Sequence, residues 1–246
     1  NMSGVNSINW IRIVVQIVYY FYSYFKVANE KEEINFAVPT GNFGDVYAGY
    51  IAKRMGLPIN KLIVATNDND ILKRVIKTGI YRPTKVKHTI SPSMDIQVAS
   101  NFERLIFDIF SGDTNKTRKL MMDLKKINEF KLKKEDINLI NKNFCSESLS
   151  EEEIKSIISK TYKNQGVLVD PHTAVGIGVV NKISLTGKTI ILSTAHPSKF
   201  SNVVLKATSI NPELPENLKS ILNYEEKYIR LPKDIEKVKN YILENI

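Results

Sequence analysis

Four times along this chain a short apolar run gives way to a cluster of Gly, Thr, Asn, Asp or His, and a helical segment follows. Residues 34–38 lead into Pro39-Thr40-Gly41-Asn42-Phe43-Gly44-Asp45, and residues 61–65 into Thr66-Asn67-Asp68-Asn69. Residues 167–169 lead into Asp170-Pro171-His172-Thr173-Ala174, and residues 189–192 into Ser193-Thr194-Ala195-His196-Pro197. Strand-like runs alternating with helices predict an α/β fold: an open, mostly parallel sheet with helices on both faces. In such a sheet all the strand exits lie at the carboxyl edge, where ligands bind.

Local signals place the remaining elements. The first turn feeds a helix over 46–55, stopped by Gly56 with Pro58 beyond. A second helix ends near Gly79, and Ser100 with Glu103 reads as a capping box opening a helix to about Phe110. Residues 113–145 read as polar helices, so about 113–165 is a peripheral helical insertion. Ser148 and Glu151 repeat the capping pattern before a helix that stops at Gly166, and a final helix starts at Pro232. No repeat and no low-complexity linker interrupts the chain.

The start of the chain is unusual. Residues 8–25 are apolar enough to suggest a membrane span, but Arg12 and Gln16 interrupt them. No basic segment and no small-residue cleavage site accompany them, as a signal peptide would require. They read as a helix buried almost all round, with Asn9, Arg12 and Gln16 forming one polar face. That face is aimed at a polar partner, either a carboxylate or a ligand. Opening on Asn1 so close to this helix, the chain reads as a fragment whose upstream part would pack there.

Composition removes several classes. In 246 residues there is one cysteine, Cys145, so no disulfide framework exists, and the three histidines stand far apart without metal-ligand spacing. A reducing, cytoplasmic setting is the simplest reading. The net charge of +9 invites a nucleic-acid reading. However, the densest lysine cluster, residues 125–134, is interleaved with acids as on a solvated helix. The expectation is therefore no nucleic acid, no membrane and no metal.

The Gly41-Asn42-Phe43-Gly44 turn joins a buried strand to a helix start, where backbone amides and the helix dipole favour an anion. It matches neither a Walker loop nor G-x-G-x-x-G, and alone it is as well read as a structural turn.

The motifs in combination say more. Val5-Asn6-Ser7-Ile8-Asn9-Trp10, Pro39-Thr40-Gly41-Asn42-Phe43-Gly44-Asp45, Asp170-Pro171-His172-Thr173-Ala174 and Thr194-Ala195-His196-Pro197 resemble, in order, those of threonine synthases. Ser91-Pro92-Ser93-Met94-Asp95 and Asn101-Phe102-Glu103-Arg104 are similar too. The resemblance covers nearly the whole chain. It implies a pyridoxal 5′-phosphate enzyme of the tryptophan-synthase-β (type II) fold, a lyase of threonine biosynthesis converting O-phospho-L-homoserine and water to L-threonine and phosphate. It also implies that Gly41, Asn42, Phe43, Gly44 and Asp45 hold the cofactor phosphate. Thr194 would lie at the pyridine nitrogen, where a hydroxyl supports a neutral ring. Ser7, Asn9 and Arg12 would meet the substrate phosphate.

One departure stands out. The family's Schiff-base lysine precedes the Asn-Ser-Ile-Asn motif, and residues 1–5 contain no lysine. The resemblance therefore implies a carboxyl-terminal half whose catalytic lysine lies upstream in a missing amino-terminal half, leaving this chain alone inactive. The alternative is a non-catalytic threonine-synthase-like protein that binds a phosphorylated ligand. His172 and His196 read as loop caps, Asp170 as a helix N-cap and Cys145 as inert, and the tyrosines at 19, 20, 22 and 24 as packing.

Overall fold

The computed structural model describes residues 6–245; residues 1–5, with Val5 of the first motif and the start at Asn1, lie outside them. The chain divides into two compact units, one spanning residues 6–212 and the other comprising residues from Glu213 onward. In the first, α1 (Trp10–Val27) precedes β1 (Ile34–Pro39), α2 (Gly44–Arg54), β2 (Ile59–Thr66) and α3 (Ile71–Thr78). There follow β3 (Ile80–Tyr81), a 3-10 turn at Pro92–Met94, α4 (Phe102–Ile109), α5 (Thr114–Ile127), β4 (Phe130–Lys131) and α6 (Lys134–Asn143). The unit continues with β5 (Phe144–Ser148), α7 (Glu151–Gln165), α8 (Pro171–Lys182), β6 (Thr189–Ile191), a 3-10 turn at Pro197–Phe200 and α9 (Ser201–Thr208). The second unit holds a 3-10 segment (Glu216–Asn223) and α10 (Ile235–Glu244), N-capped by Asp234 rather than begun at Pro232.

The main sheet is parallel throughout, in the order β5-β2-β1-β6. Strands β3 and β4 form a separate antiparallel pair. All six residues of β1 are buried, as a central strand covered on both faces requires. Alternation sorts its side chains: Phe36 and Val38 join one core cluster with residues of α1, α2 and α4, while Ala37 joins another with α7 and α8. Leu62 and Val64 of β2 share the first cluster, Ile63 and Ala65 the second. Helices thus cover both faces.

The structure corrects five further expectations. Residues 144–148 are not part of a helical insertion but the edge strand β5, paired with β2 from Leu62↔Phe144 to Thr66↔Ser148. Phe144 and Ser146 turn inward while their neighbours are partly exposed, a half-covered edge whose polar residues mask its period. Residues 167–169 are not a strand; they bridge the Gly166 C-cap of α7 and the Asp170 N-cap of α8. The capping box of α7 is Ser150 with Glu153, two residues later than expected, and α4 is preceded by Asn101 without a side-chain cap. Finally, α1 is not buried all round. Ile13, Tyr20 and Tyr24 enter the core, whereas Ile11, Val15, Val18, Tyr22 and Phe25 are more than half exposed. An apolar sequence demands cover without saying which residues supply it. Among the described residues no helix is long and apolar enough to cross a membrane.

Helix α1 lies close against α2 because Gly49 has no side chain. A Cβ there would sit 2.5 and 2.7 Å from ring carbons of Tyr20 and 2.8 Å from Leu62 Cδ2. Gly49→Ala is predicted to lower stability by about 1–3 kcal/mol through overpacking. An unchanged urea midpoint would show that the two helices separate without cost.

Candidate active site

A cleft of about 560 Å³ opens at the carboxyl edge of the sheet within the first unit. Its floor is the β1–α2 turn. Gly41 packs under the loop that carries Ser93, so closely that a Cβ would lie 2.5 Å from the Ser93 carbonyl oxygen. Phe43 adopts the left-handed conformation (φ 64°) as the N-cap of α2 and supplies no side-chain cap. The first amides of α2 have no carbonyl one turn back, so they are left to a ligand or solvent. The carbonyl of Asn42 is held by the Asn101 amide at 3.0 Å and its side chain at 3.1 Å, which fixes the turn from behind.

The other walls come from distant parts of the chain. Helix α1 contributes Ser7 just before its cap, then Arg12, Gln16 and Tyr19. The β6 exit contributes Ser193, Thr194 and Ala195, and the turn beyond it Lys199 and Phe200. Ser93 and Met94 stand on an irregular loop anchored by Asp95. Its carboxylate accepts from Asn67 Nδ2 (2.9 Å), Asn69 Nδ2 (3.0 Å), and the Thr89 amide and hydroxyl (both 2.7 Å).

All the residues singled out for the cofactor and substrate therefore line one cleft, with one exception. Asn9 caps α1 through its side chain and is not among the lining residues. The structure adds Gln16, Lys199, Ser93 and His172. Gln16 was visible in the polar stripe; Lys199 had no signal beyond its place three residues after His196. Among the described residues neither Arg12 nor Lys199 has a carboxylate within ion-pair distance, so both cations are available to an anion.

Two histidines divide. His172 is buried at the start of α8, its Nδ1 2.9 Å from Asp170 Oδ1 and its Nε2 accepting the Ser93 amide at 3.2 Å. His196 is exposed and caps the short turn after it, with Nδ1 2.7 Å from Ser198 Oγ. Cys145 sits on β5, where burial pushes its thiol up to about 11 and leaves it a poor nucleophile. Among the described residues no group of three His, Cys, Asp or Glu side chains is placed to hold a metal ion.

This is an open parallel α/β fold with its ligand cleft at the carboxyl edge and an uncapped helix start in the floor, the architecture of type II pyridoxal-phosphate enzymes. A family model described as threonine synthase, C-terminal, matches residues 173–242. A threonine synthase of Saccharomyces cerevisiae is 42% identical over the whole chain, which covers 54% of that protein. One of Pseudomonas aeruginosa is 40% identical over 97% of the chain and 52% of its own length. A crystal structure of pyridoxal-phosphate-bound threonine synthase from Brucella melitensis superposes with a TM-score of 0.94 at 42% identity, over 98% of this chain and 52% of that one. The chain belongs to the threonine synthase family and spans about half the length of the curated relatives it matches.

Asp45, in the first turn of α2, is an odd neighbour for an anion. Burial pushes its carboxyl up to about 6, against a weaker opposing hydrogen bond from Tyr20, whose hydroxyl donates to Asp45 Oδ1 at 3.2 Å. A carboxyl whose folded value lies above its ordinary 3.8 stabilises the fold while protonated, and that contribution is lost as pH rises from about 4 through 6. Asp45→Asn is predicted to remove this loss. Relative to wild type it should gain up to about 3 kcal/mol between pH 4.5 and 7.5 in urea titrations. An identical pH dependence in the two proteins would show that Asp45 is freely solvated.

Proposed function

We propose that this chain is the cofactor-cradling part of a threonine synthase, which converts O-phospho-L-homoserine and water to L-threonine and phosphate with pyridoxal 5′-phosphate. The observation that carries this reading is the convergence in one cleft of the uncapped α2 start, the Thr194 hydroxyl and two cations without a carboxylate partner among the described residues. The residues fit the cofactor's chemistry. Amides over Gly41–Asp45 suit a phosphate, and Gly41 lets the turn pack close against the Ser93 loop. Thr194, exposed in the cleft wall, offers one hydroxyl to a ring nitrogen. The cavity is also of ordinary size for a ligand of that kind.

When bound, the cofactor supplies an electron sink for charge developing on the substrate's carbon skeleton. The protein's share is binding and orientation. Arg12 brings a planar fork of donors to a dianionic phosphate. Ser7 adds a hydroxyl beside it, and Lys199 a second positive charge. As a leaving group, phosphate gains negative charge, so these contacts strengthen as the bond to it breaks. We assign the covalent lysine to the family's amino-terminal half, a second partner of this chain besides the substrate. The exposed apolar stripe of α1, beginning at Ile11, is the surface we assign to that half. A reducing, cytoplasmic setting suits the lone free thiol.

Binding tests this reading. Pyridoxine 5′-phosphate, which has no aldehyde and needs no lysine, should bind the chain in calorimetry. Gly41→Ala should abolish that binding, because the floor must shift away from the Ser93 carbonyl. Arg12→Ala should weaken O-phosphohomoserine by about tenfold or more, the loss of a charge-assisted contact, and leave pyridoxine 5′-phosphate within about threefold. Equal losses for both ligands would mean that Arg12 does not separate substrate from cofactor.

A further inference from the structure

One buried side chain holds two segments that meet different ligands. Asn101 is fully buried just before α4. Its Nδ2 donates to the Ser7 carbonyl at 2.8 Å and to the Asn42 carbonyl at 3.1 Å. Its backbone amide donates to the Asn42 carbonyl as well, at 3.0 Å. Its Oδ1 accepts from Arg104 Nε at 3.1 Å. Arg104 Nη2 donates in turn to the Ile8 carbonyl at 2.9 Å, and its guanidinium lies 5.3 Å from the centre of the Trp10 ring.

The chemistry of the partners fixes how this carboxamide is turned. A guanidinium only donates, so the atom facing Arg104 is the oxygen. Backbone carbonyls only accept, so the atom facing Ser7 and Asn42 is the nitrogen. Both protons of Nδ2 are then committed, one to each segment. A Cβ on Gly44 would lie 3.4 Å from Asn101 Nδ2 and 3.7 Å from the Ser7 carbonyl oxygen, so the start of α2 belongs to the same contact.

Peptide planarity carries the constraint onward. In a trans peptide the C=O and the following N–H point in opposite directions, and no cis bond occurs among the described residues. Holding the Asn42 carbonyl therefore aims the Phe43 amide away from Asn101, and Phe43 lines the cleft. On the other segment, the bonds to the consecutive carbonyls of Ser7 and Ile8 fix the backbone from which Ser7 and, in the first turn of α1, Arg12 reach the cleft. Asn101 itself is not among the lining residues.

We propose that Asn101 is a positioning residue that couples the two phosphate sites: a ligand that settles the backbone at Gly41–Asp45 also settles Ser7, and the reverse. This rests on the reading above, in which that turn holds the cofactor phosphate while Ser7 and Arg12 meet the substrate's. Two anions in one cleft also repel each other. The repulsion does not pass through Asn101, so replacing this neutral side chain removes the coupling and leaves the repulsion. By linkage the coupling is the same whichever ligand binds first.

The test is calorimetry on the full chain with pyridoxine 5′-phosphate and O-phosphohomoserine. The coupling factor is the ratio of the O-phosphohomoserine dissociation constants without and with saturating pyridoxine 5′-phosphate. Asn101→Leu keeps the backbone bond to Asn42 and every charge in the cleft, and its factor should fall about fivefold or more below that of wild type. Arg104→Lys keeps the charge but not the fork that spans Asn101 and Ile8, and should lower the factor about twofold or more. Arg104 is only half-buried, so this variant decides the question should Asn101→Leu not fold by circular dichroism. A residue that only stabilises the fold would scale both dissociation constants alike and leave their ratio unchanged. The wild-type factor in the folded variants therefore overturns the proposal. Failure of wild type to bind either ligand overturns the reading of the site instead, and this proposal with it.

Discussion

A parallel strand order forces every chain exit to one edge, and the cleft depends on that constraint. Strand β1 lies between β2 and β6, so its exit at Pro39 and that of β6 at Ile191 open side by side. The first exit delivers the amides of α2, the second the hydroxyl of Thr194. Neither group would face the other if the two strands ran antiparallel. The buried apolar residues of β1 hold that relation rigidly, since each face is locked by a separate helix layer.

Around this frame the polar groups are satisfied in an ordered way. Among the described residues no buried side-chain nitrogen or oxygen lacks a hydrogen-bond partner. Asp95 and Asp170 are the two hubs. Each fixes an irregular segment with several donors, as a loop without its own secondary structure needs. The cleft is bounded by these held loops, and the start of α2, Arg12 of α1 and Lys199 beyond β6 bring positive charge to it from three directions. A site with those donors favours an anion.

Much of this was legible in the residues. The strand exits at 39–45 and 193–197 announced themselves by composition, and the polar stripe of α1 pointed Arg12 and Gln16 at something polar. What stayed hidden has physical causes. The edge strand β5 carries Cys145, Ser146 and Glu147 between two helices, and half-covered edges show no clean alternation. The extended residues 167–169 have strand-like side chains but lie between two helix caps, and composition does not report pairing. Asn9 could not be separated from Arg12 by periodicity, because a capping residue and a ligand-facing residue can occupy one helix face. Lys199 entered through a short turn whose direction is set only by tertiary packing.

The pairing of β1 with β6 also has a temporal meaning. Asn35 and Thr189 meet across 154 positions of chain, so β6 docks by closing the longest loop in the sheet. As the chain emerges during synthesis, the turn with its amides, the α1 wall and the Asp95-anchored loop can assemble before the other wall exists. Until residue 189 has left the ribosome, β1 carries a bare, apolar, fully hydrogen-bond-competent edge, the kind of surface on which nascent chains pair wrongly with one another. The wall that carries the hydroxyl and Lys199 is thus the last part of the cleft to arrive, and its strand covers the edge that β1 would otherwise present.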